Sequence, residues 1–187
     1  MTVIPTALAG VVIIEPRVFQ DDRGFLFESY HAERYAAAGL PKRFVQDNHS
    51  SSLAGTIRGL HYQLLNPQGK LVRVIRGLVF DVAVDIRRGS PTFGRWIGVE
   101  LSADNKRQLY IPPGFAHGFC VPEDPSEVEY KCTDYYRADD QRGVRWDDAT
   151  IAIPWPVREP ILSQKDRAYA HLFQDRDDLP VYEEALT

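Results

Sequence analysis

Cysteine is scarce in this chain: Cys120 and Cys132 are the only two, and their spacing makes neither a redox pair nor a zinc knuckle. Both lie in apolar, strand-like surroundings and read as buried thiols. There is no basic tract of the kind that follows a nucleic-acid backbone; 22 Lys and Arg stand against 26 Asp and Glu, a net charge of -4. Nucleic acid is therefore not an expected partner, although a mildly acidic chain can still hold an anion through a local cluster of cations. No apolar run is long enough to cross a membrane, and MTVIPTALAG at the start lacks the features of a secretory signal. No membrane partner and a cytoplasmic location are the expectations. Repeats and low-complexity segments are missing too. The 187 residues read as one domain, 1–187, with 173–187 a polar, acidic and loosely packed C-terminal tail.

What the chain does contain is a series of short apolar runs between Gly and Pro turns. Val11–Ile14 reads as a first, edge strand, and Phe25–Ser29 as a second. Phe44–His49 is extended and leads into a flexible link over Ser50–Ala54. Further strands are expected at Lys70–Ile75, Val79–Ile86, Arg95–Leu101, Arg107–Ile111, Ala116–Val121 and Glu127–Cys132. Within Val79–Ile86, alternation puts Phe80, Val82, Val84 and Ile86 on one face. Val79, Asp81, Ala83 and Asp85 form the other, which is either solvent-facing or the lining of a wet cavity. One helix is expected over Tyr30–Ala38, ended by Gly39. The βαβ crossovers of a parallel sheet are absent, so the pattern describes an all-β sandwich or barrel.

Four tracts carry chemistry. TIRGLHYQ (Thr56–Gln63) holds a fixed cation, Arg58, and a base suited to neutral pH, His61. PPGFAHGF (Pro112–Phe119) places His117 in a tight turn; VEYKCTDYY (Val128–Tyr136) brings phenols; LSQKD (Leu162–Asp166) sets Lys165 beside Asp166. His61 admits two readings, a base in a cavity or a core histidine tied to backbone. Arg58 and His61 are three apart, which in a regular strand puts them on opposite faces; a bulge at Gly59 would re-aim one of them. Asp166 is either half of a surface pair with Lys165 or the carboxylate that orients His61. Tyr130 is either a tethered core tyrosine or a proton donor. Lys70, after the loop that follows His61, is able to point into the same mouth. The P-x-G-x-x-H spacing ending at His117 supplies one ligand in metal-binding double-stranded β-helices, but the companion place reads His61-Tyr62-Gln63, without a second histidine. No metal is expected. Base, phenol and cation without metal suit proton abstraction beside a carbonyl.

RGLHYQ, PPGFAHGF, EYKCTDYY and LSQKD, in this order and with DRGFLFE and QDNHS ahead of them, resemble the dTDP-4-dehydrorhamnose 3,5-epimerases. The resemblance implies a cupin-type jelly-roll β-sandwich (double-stranded β-helix) with short peripheral helices, dimeric by exchange of N-terminal strands. It implies epimerisation of dTDP-4-dehydro-6-deoxyglucose at C3 and C5 on the way to dTDP-rhamnose, with no metal and no organic cofactor. By position, His61 corresponds to the base, Asp166 to its dyad partner, Tyr130 to the general acid and Lys70 to the cation beside the C4 oxygen. Arg23 and Arg58 correspond to diphosphate and nucleotide contacts, and Glu28, Gln46 and Asn48 to nucleoside contacts. His117 corresponds to a sugar contact, Tyr136 to the ring beside thymine, and Lys165 falls near the nucleotide. Two positions depart from the family pattern: Ser51 replaces a usual basic residue, which is expected to trim one peripheral charge contact, and Ala170-His171 stands where a proline is usual.

Overall fold

Period-2 alternation in the strands sets two antiparallel sheets face to face. The computed structural model describes residues 1–173 and 175–183. In chain order the strands are β1 (Thr2–Pro5), β2 (Val12–Glu15), β3 (Val18–Asp21), β4 (Gly24–Phe27), β5 (Gln46–Ser52), β6 (Ile57–Gln63) and β7 (Lys70–Arg76). They continue with β8 (Leu78–Asp85), β9 (Trp96–Ser102), β10 (Gln108–Ile111), β11 (Phe115–Cys120), β12 (Ser126–Cys132) and β13 (Gln141–Gly143). The helices are α1 (Ala32–Ala37) and α2 (Gln164–Ala168). One sheet has the order β1-β2-β10-β7-β12-β5, the other β13-β6-β11-β8-β9, and β3-β4 forms a separate hairpin. This is the β-sandwich of the cupin type with short peripheral helices.

Apolar side chains fill three layers. Between the sheets, Val72, Leu109 and Val128 of the first meet Val79, Ala83 and Phe119 of the second. Outside the first sheet, Tyr35 of α1 and Leu40 cover Ile14, Leu71 and Tyr110. Outside the second, Val144, Ile151, Leu172 and Leu179 cover Leu60, Val82, Val84 and Ala116. Both faces of the central strands are thus covered. For β8, the face carrying Phe80, Val82, Val84 and Ile86 turns out toward the C-terminal third, and Val79 and Ala83 turn into the sandwich. Neither face is solvent. Asp85, fully buried, is held by Arg87, Ser90 and Thr92.

Several expectations change. Val11–Ile14 is neither first nor at an edge: β1 precedes β2 and takes the edge, while β2 pairs with β1 and β10. Ser50–Ser52 is no link; it continues β5, paired with Ser126–Val128 of β12. Serines carry no apolar alternation, so this pairing left no sequence signal. The helix near residue 35 is shorter than expected, with His31 as its cap accepting from the Arg34 amide. A second helix, α2, starts at Ser163, whose hydroxyl accepts from the Asp166 amide at 3.0 Å. The tail is packed rather than loose over its described residues. Leu179 is buried, Arg88 and Val181 form a parallel bridge, and Arg176 bonds Asp178, Tyr62 and Gly143. Residues 174 and 184–187 of that tail lie outside the described residues.

Candidate active site

Strand register brings the two tract histidines together. In the β6–β11 pairing His117 lies directly opposite His61, and the register slips before Phe119 meets Arg58. That slip is a bulge beside Gly59, the alternative that re-aims one of the two residues. Gly59 has φ 134, and an added Cβ would lie 2.5 Å from the Cα of Gly118 and 2.9 Å from the His117 carbonyl oxygen. Only glycine fits there. The outcome is that Arg58 and His61 both face one cavity of about 400 Å³, lined by strands of both sheets.

Each histidine is backed by a carboxylate. His61 Nε2 is 2.6 Å from Asp166, which is buried in α2. His117 Nε2 is 3.0 Å from both oxygens of Asp81 in β8. Asp81 is fully buried and was not among the expected site residues. Its sequence signal was its place, with Asp85, on the face of Val79–Ile86 read as either solvent-facing or the lining of a wet cavity. Burial pulls the His61 pKa below its ordinary value, with nearby Lys70 and His117 acting the same way and Asp166 opposing. The imidazole is therefore neutral at neutral pH, with the nitrogen not engaged by Asp166 available as a base.

The facing sheet supplies the cation and the phenol. In the β12–β7 register Cys132 lies opposite Lys70, and Tyr130 opposite Val72. Both Lys70 and Tyr130 line the cavity with His61 and Asp166. Among the described residues, neither the Lys70 ammonium nor the Tyr130 hydroxyl has a hydrogen-bond or ion-pair partner. Burial lowers the Lys70 pKa, and burial together with Cys132 raises that of Tyr130. The phenol therefore keeps its proton over the neutral range. An unpaired ammonium set in a partly closed cavity is costly by itself and favours an anion in front of it.

The remaining expected contacts divide. Gln46 and Asn48, on β5, are bonded to each other at 3.0 Å and line the cavity with Tyr136 and Lys165. Arg58 is aimed by Ser52, which accepts from Nε at 2.8 Å, and by the Ser51 carbonyl, which accepts from Nη2. Ser51 therefore contributes its backbone where a basic side chain was usual. Arg23 and Glu28 are not at the cavity. Arg23 sits on the β3–β4 hairpin, 89% exposed, paired with Asp21; Glu28 pairs with Arg34.

Sequence reading missed the scaffolding of the rim. Asp140, buried, accepts from the amides of Leu64, Leu65 and Asn66. Gln63 stands at the place of the absent second histidine, and its amide is fully used. It donates to the Asn66 and Tyr135 carbonyls and accepts from the Arg137 amide at 2.7 Å. Gln46 accepts from the Tyr136 amide at 2.8 Å. Ser50, Gln68, Phe119, Gln141 and Ser163 also line the cavity. Among the described residues no three of His, Cys, Asp and Glu converge to hold a metal ion.

The chain matches a family model described as dTDP-4-dehydrorhamnose 3,5-epimerase over residues 5–174. It is 57% identical over 169 residues to a dTDP-4-dehydrorhamnose 3,5-epimerase of Shigella flexneri, covering 89% of this chain and 93% of that protein. It is similar to the crystal structure of a dTDP-6-deoxy-D-glucose-3,5-epimerase from Legionella pneumophila in complex with dTDP-4-keto-L-rhamnose. There the TM-score is 0.94 at 50% identity, over 98% of this chain and 99% of that one. A dTDP-4-dehydrorhamnose 3-epimerase of Streptomyces niveus is 39% identical over 186 residues, covering 97% of this chain and 90% of that protein.

Proposed function

The chain belongs to the dTDP-4-dehydrorhamnose 3,5-epimerase family, and on that premise we propose that it converts dTDP-4-dehydro-6-deoxy-α-D-glucose to dTDP-4-dehydro-β-L-rhamnose. The 4-keto group acidifies the hydrogens on C3 and C5. Neutral His61 takes one of them, and Asp166 stabilises the imidazolium that forms. Charge moves to the C4 oxygen, where Lys70 supports the enolate. Tyr130 delivers a proton to the opposite face of the same carbon, inverting it. His61 then returns its proton to solvent, Tyr130 regains one, and the second carbon goes through the same cycle. No step is assigned to a metal or an organic cofactor. His117, held by Asp81, contacts the sugar. Arg58, Gln46, Asn48, Tyr136 and Lys165 hold the nucleotide, so that binding energy far from the ring fixes its position. The observation that carries the reading is the His61–Asp166 contact of 2.6 Å in a cavity it shares with an unpartnered lysine and phenol.

Arg23 and Glu28 fit this reading if the active form is a homodimer. The β3–β4 hairpin exposes Val18, Phe19, Phe25 and Leu26, too apolar a set for a free surface. Seated on a second copy, it would carry Arg23 toward that copy's cavity as a diphosphate contact, with Glu28 beside the nucleoside. Mixing an Arg23→Ala protein with a His61→Asn protein would then restore part of the activity; no restoration speaks against exchange. No helix of the described residues is long and apolar enough to cross a membrane, and we infer a cytoplasmic reaction from the proposed nucleotide-sugar substrate. One domain carries it.

The test is turnover in deuterated water. Label at both C3 and C5 of the product supports the full reaction. Label at C3 alone would move the assignment to a 3-epimerase, the activity named for the Streptomyces niveus relative.

A further inference from the structure

Tyr169 stands three residues past Asp166, just after α2, and is absent from every site expectation above. Its ring lies edge-on to the His61 imidazole, 5.8 Å between centroids at 70°. Opposite His61 on the neighbouring strand is Gly143, and an added Cβ at Gly143 would overlap the Tyr169 ring. Here the missing side chain is the seat for another residue's aromatic ring. The Tyr169 hydroxyl accepts from Gln141 Nε2 at 3.2 Å, and Gln141 Oε1 accepts from the Tyr136 hydroxyl at 2.7 Å. A continuous chain thus runs from the rim tyrosine to the ring that flanks the base.

We propose that Tyr169 is a positioning residue: seated on Gly143, its ring holds the His61 imidazole against Asp166, and its hydroxyl ties that support through Gln141 to Tyr136 at the nucleotide end of the cavity. The inference rests on the function proposed above for the roles of His61 and Tyr136. An aromatic edge beside an imidazole excludes water from one side and restricts rotation of the ring. The ring that abstracts a proton therefore keeps its orientation while the sugar turns over. The groups facing His61 are Asp166 and Tyr169 from the C-terminal segment, Lys70 from β7 and His117 from β11.

The experiment is an NMR titration of His61 in the ligand-free protein, run beside steady-state kinetics on the 4-keto sugar nucleotide. The resonance is assigned by its loss in His61→Asn. Tyr169→Ala leaves Asp166, Lys70 and His117 in place and opens one side of the ring to water. The expected result is a titration midpoint that moves up toward the ordinary histidine value, with kcat down about tenfold. KM for the substrate should change less than kcat. Gly143→Ala displaces the ring without removing it and should shift the midpoint in the same direction. It also serves where Tyr169→Ala does not fold. Tyr169→Phe keeps the ring but frees Gln141, so the midpoint should hold while affinity for dTDP falls a few fold. A His61 midpoint unchanged in both Tyr169→Ala and Gly143→Ala overturns the proposal, whatever happens to the rate. A wild-type protein that fails to turn over the sugar nucleotide would instead overturn the proposed function, and the titration would still judge Tyr169.

Discussion

The pairs His61–Asp166 and His117–Asp81 are alike in geometry and opposite in setting. In both, a strand histidine meets a carboxylate through Nε2, and the two rings are cross-strand neighbours. Asp81 belongs to β8 and is placed by the ladder that also places His117, since β11 pairs with β8 along its length. Asp166 comes from 105 residues further along than His61, on α2, which is not part of the sheet. The side chain of His61 is 28% exposed and that of His117 is 7%. A histidine sealed in the sheet with its partner is suited to holding a ligand in one position. A histidine with an open edge, whose carboxylate arrives from outside the sheet, is suited to passing protons.

The comparison breaks most visibly at His61. His61→Ala should lower kcat/KM by at least about a thousandfold, because the base itself is lost. Affinity for dTDP, measured calorimetrically, should stay within about threefold, since the nucleotide contacts are elsewhere. Retained turnover would show that the wrong histidine has been assigned. Asp166→Asn comes next, at about a hundredfold in kcat. Asp166 raises the His61 pKa against burial. Without its charge the pKa falls further, so the acid limb of the rate profile should move to lower pH. That direction is opposite to the one expected on opening the site at Tyr169, so the two effects on one imidazole are separable.

Much of this arrangement was legible because strand alternation, turn glycines and tract order are local. The Gly59 bulge was one of two open readings, because two polar residues three apart do not by themselves say that both reach one place. What escaped depended on partners far along the chain. Asp81 was read correctly onto a face, but that face is buried in the sandwich, where Asp81 meets the His117 ring from the neighbouring strand β11. The serines of β5 are strand because β12 pairs with them, a cause that lies outside their own sequence. The tail looked loose because its composition is polar, yet Leu179 anchors it by burying one side chain. Arg23 and Glu28 are not at this chain's own cavity, and only the second copy proposed above would bring them to one.

The second pair offers the smaller and more discriminating test. Asp81→Asn keeps the shape of the residue and a hydrogen-bonding atom near His117, while removing a buried charge. If His117 holds the sugar and does not accept its proton, the change should appear mainly as a rise in KM, about fivefold to tenfold, the scale of one weakened hydrogen bond. Asp81 acts on Lys70 and is not among the main causes of the His61 shift, so the acid limb should move far less than in Asp166→Asn. Deuterium entry at C3 and C5 should keep its wild-type ratio. The two pairs would then differ in kind, one acting on rate and pH and the other on binding alone. A loss in kcat as large as that of Asp166→Asn, or a ratio that favours one carbon, would mean that both histidines move protons and that each serves its own centre on the ring.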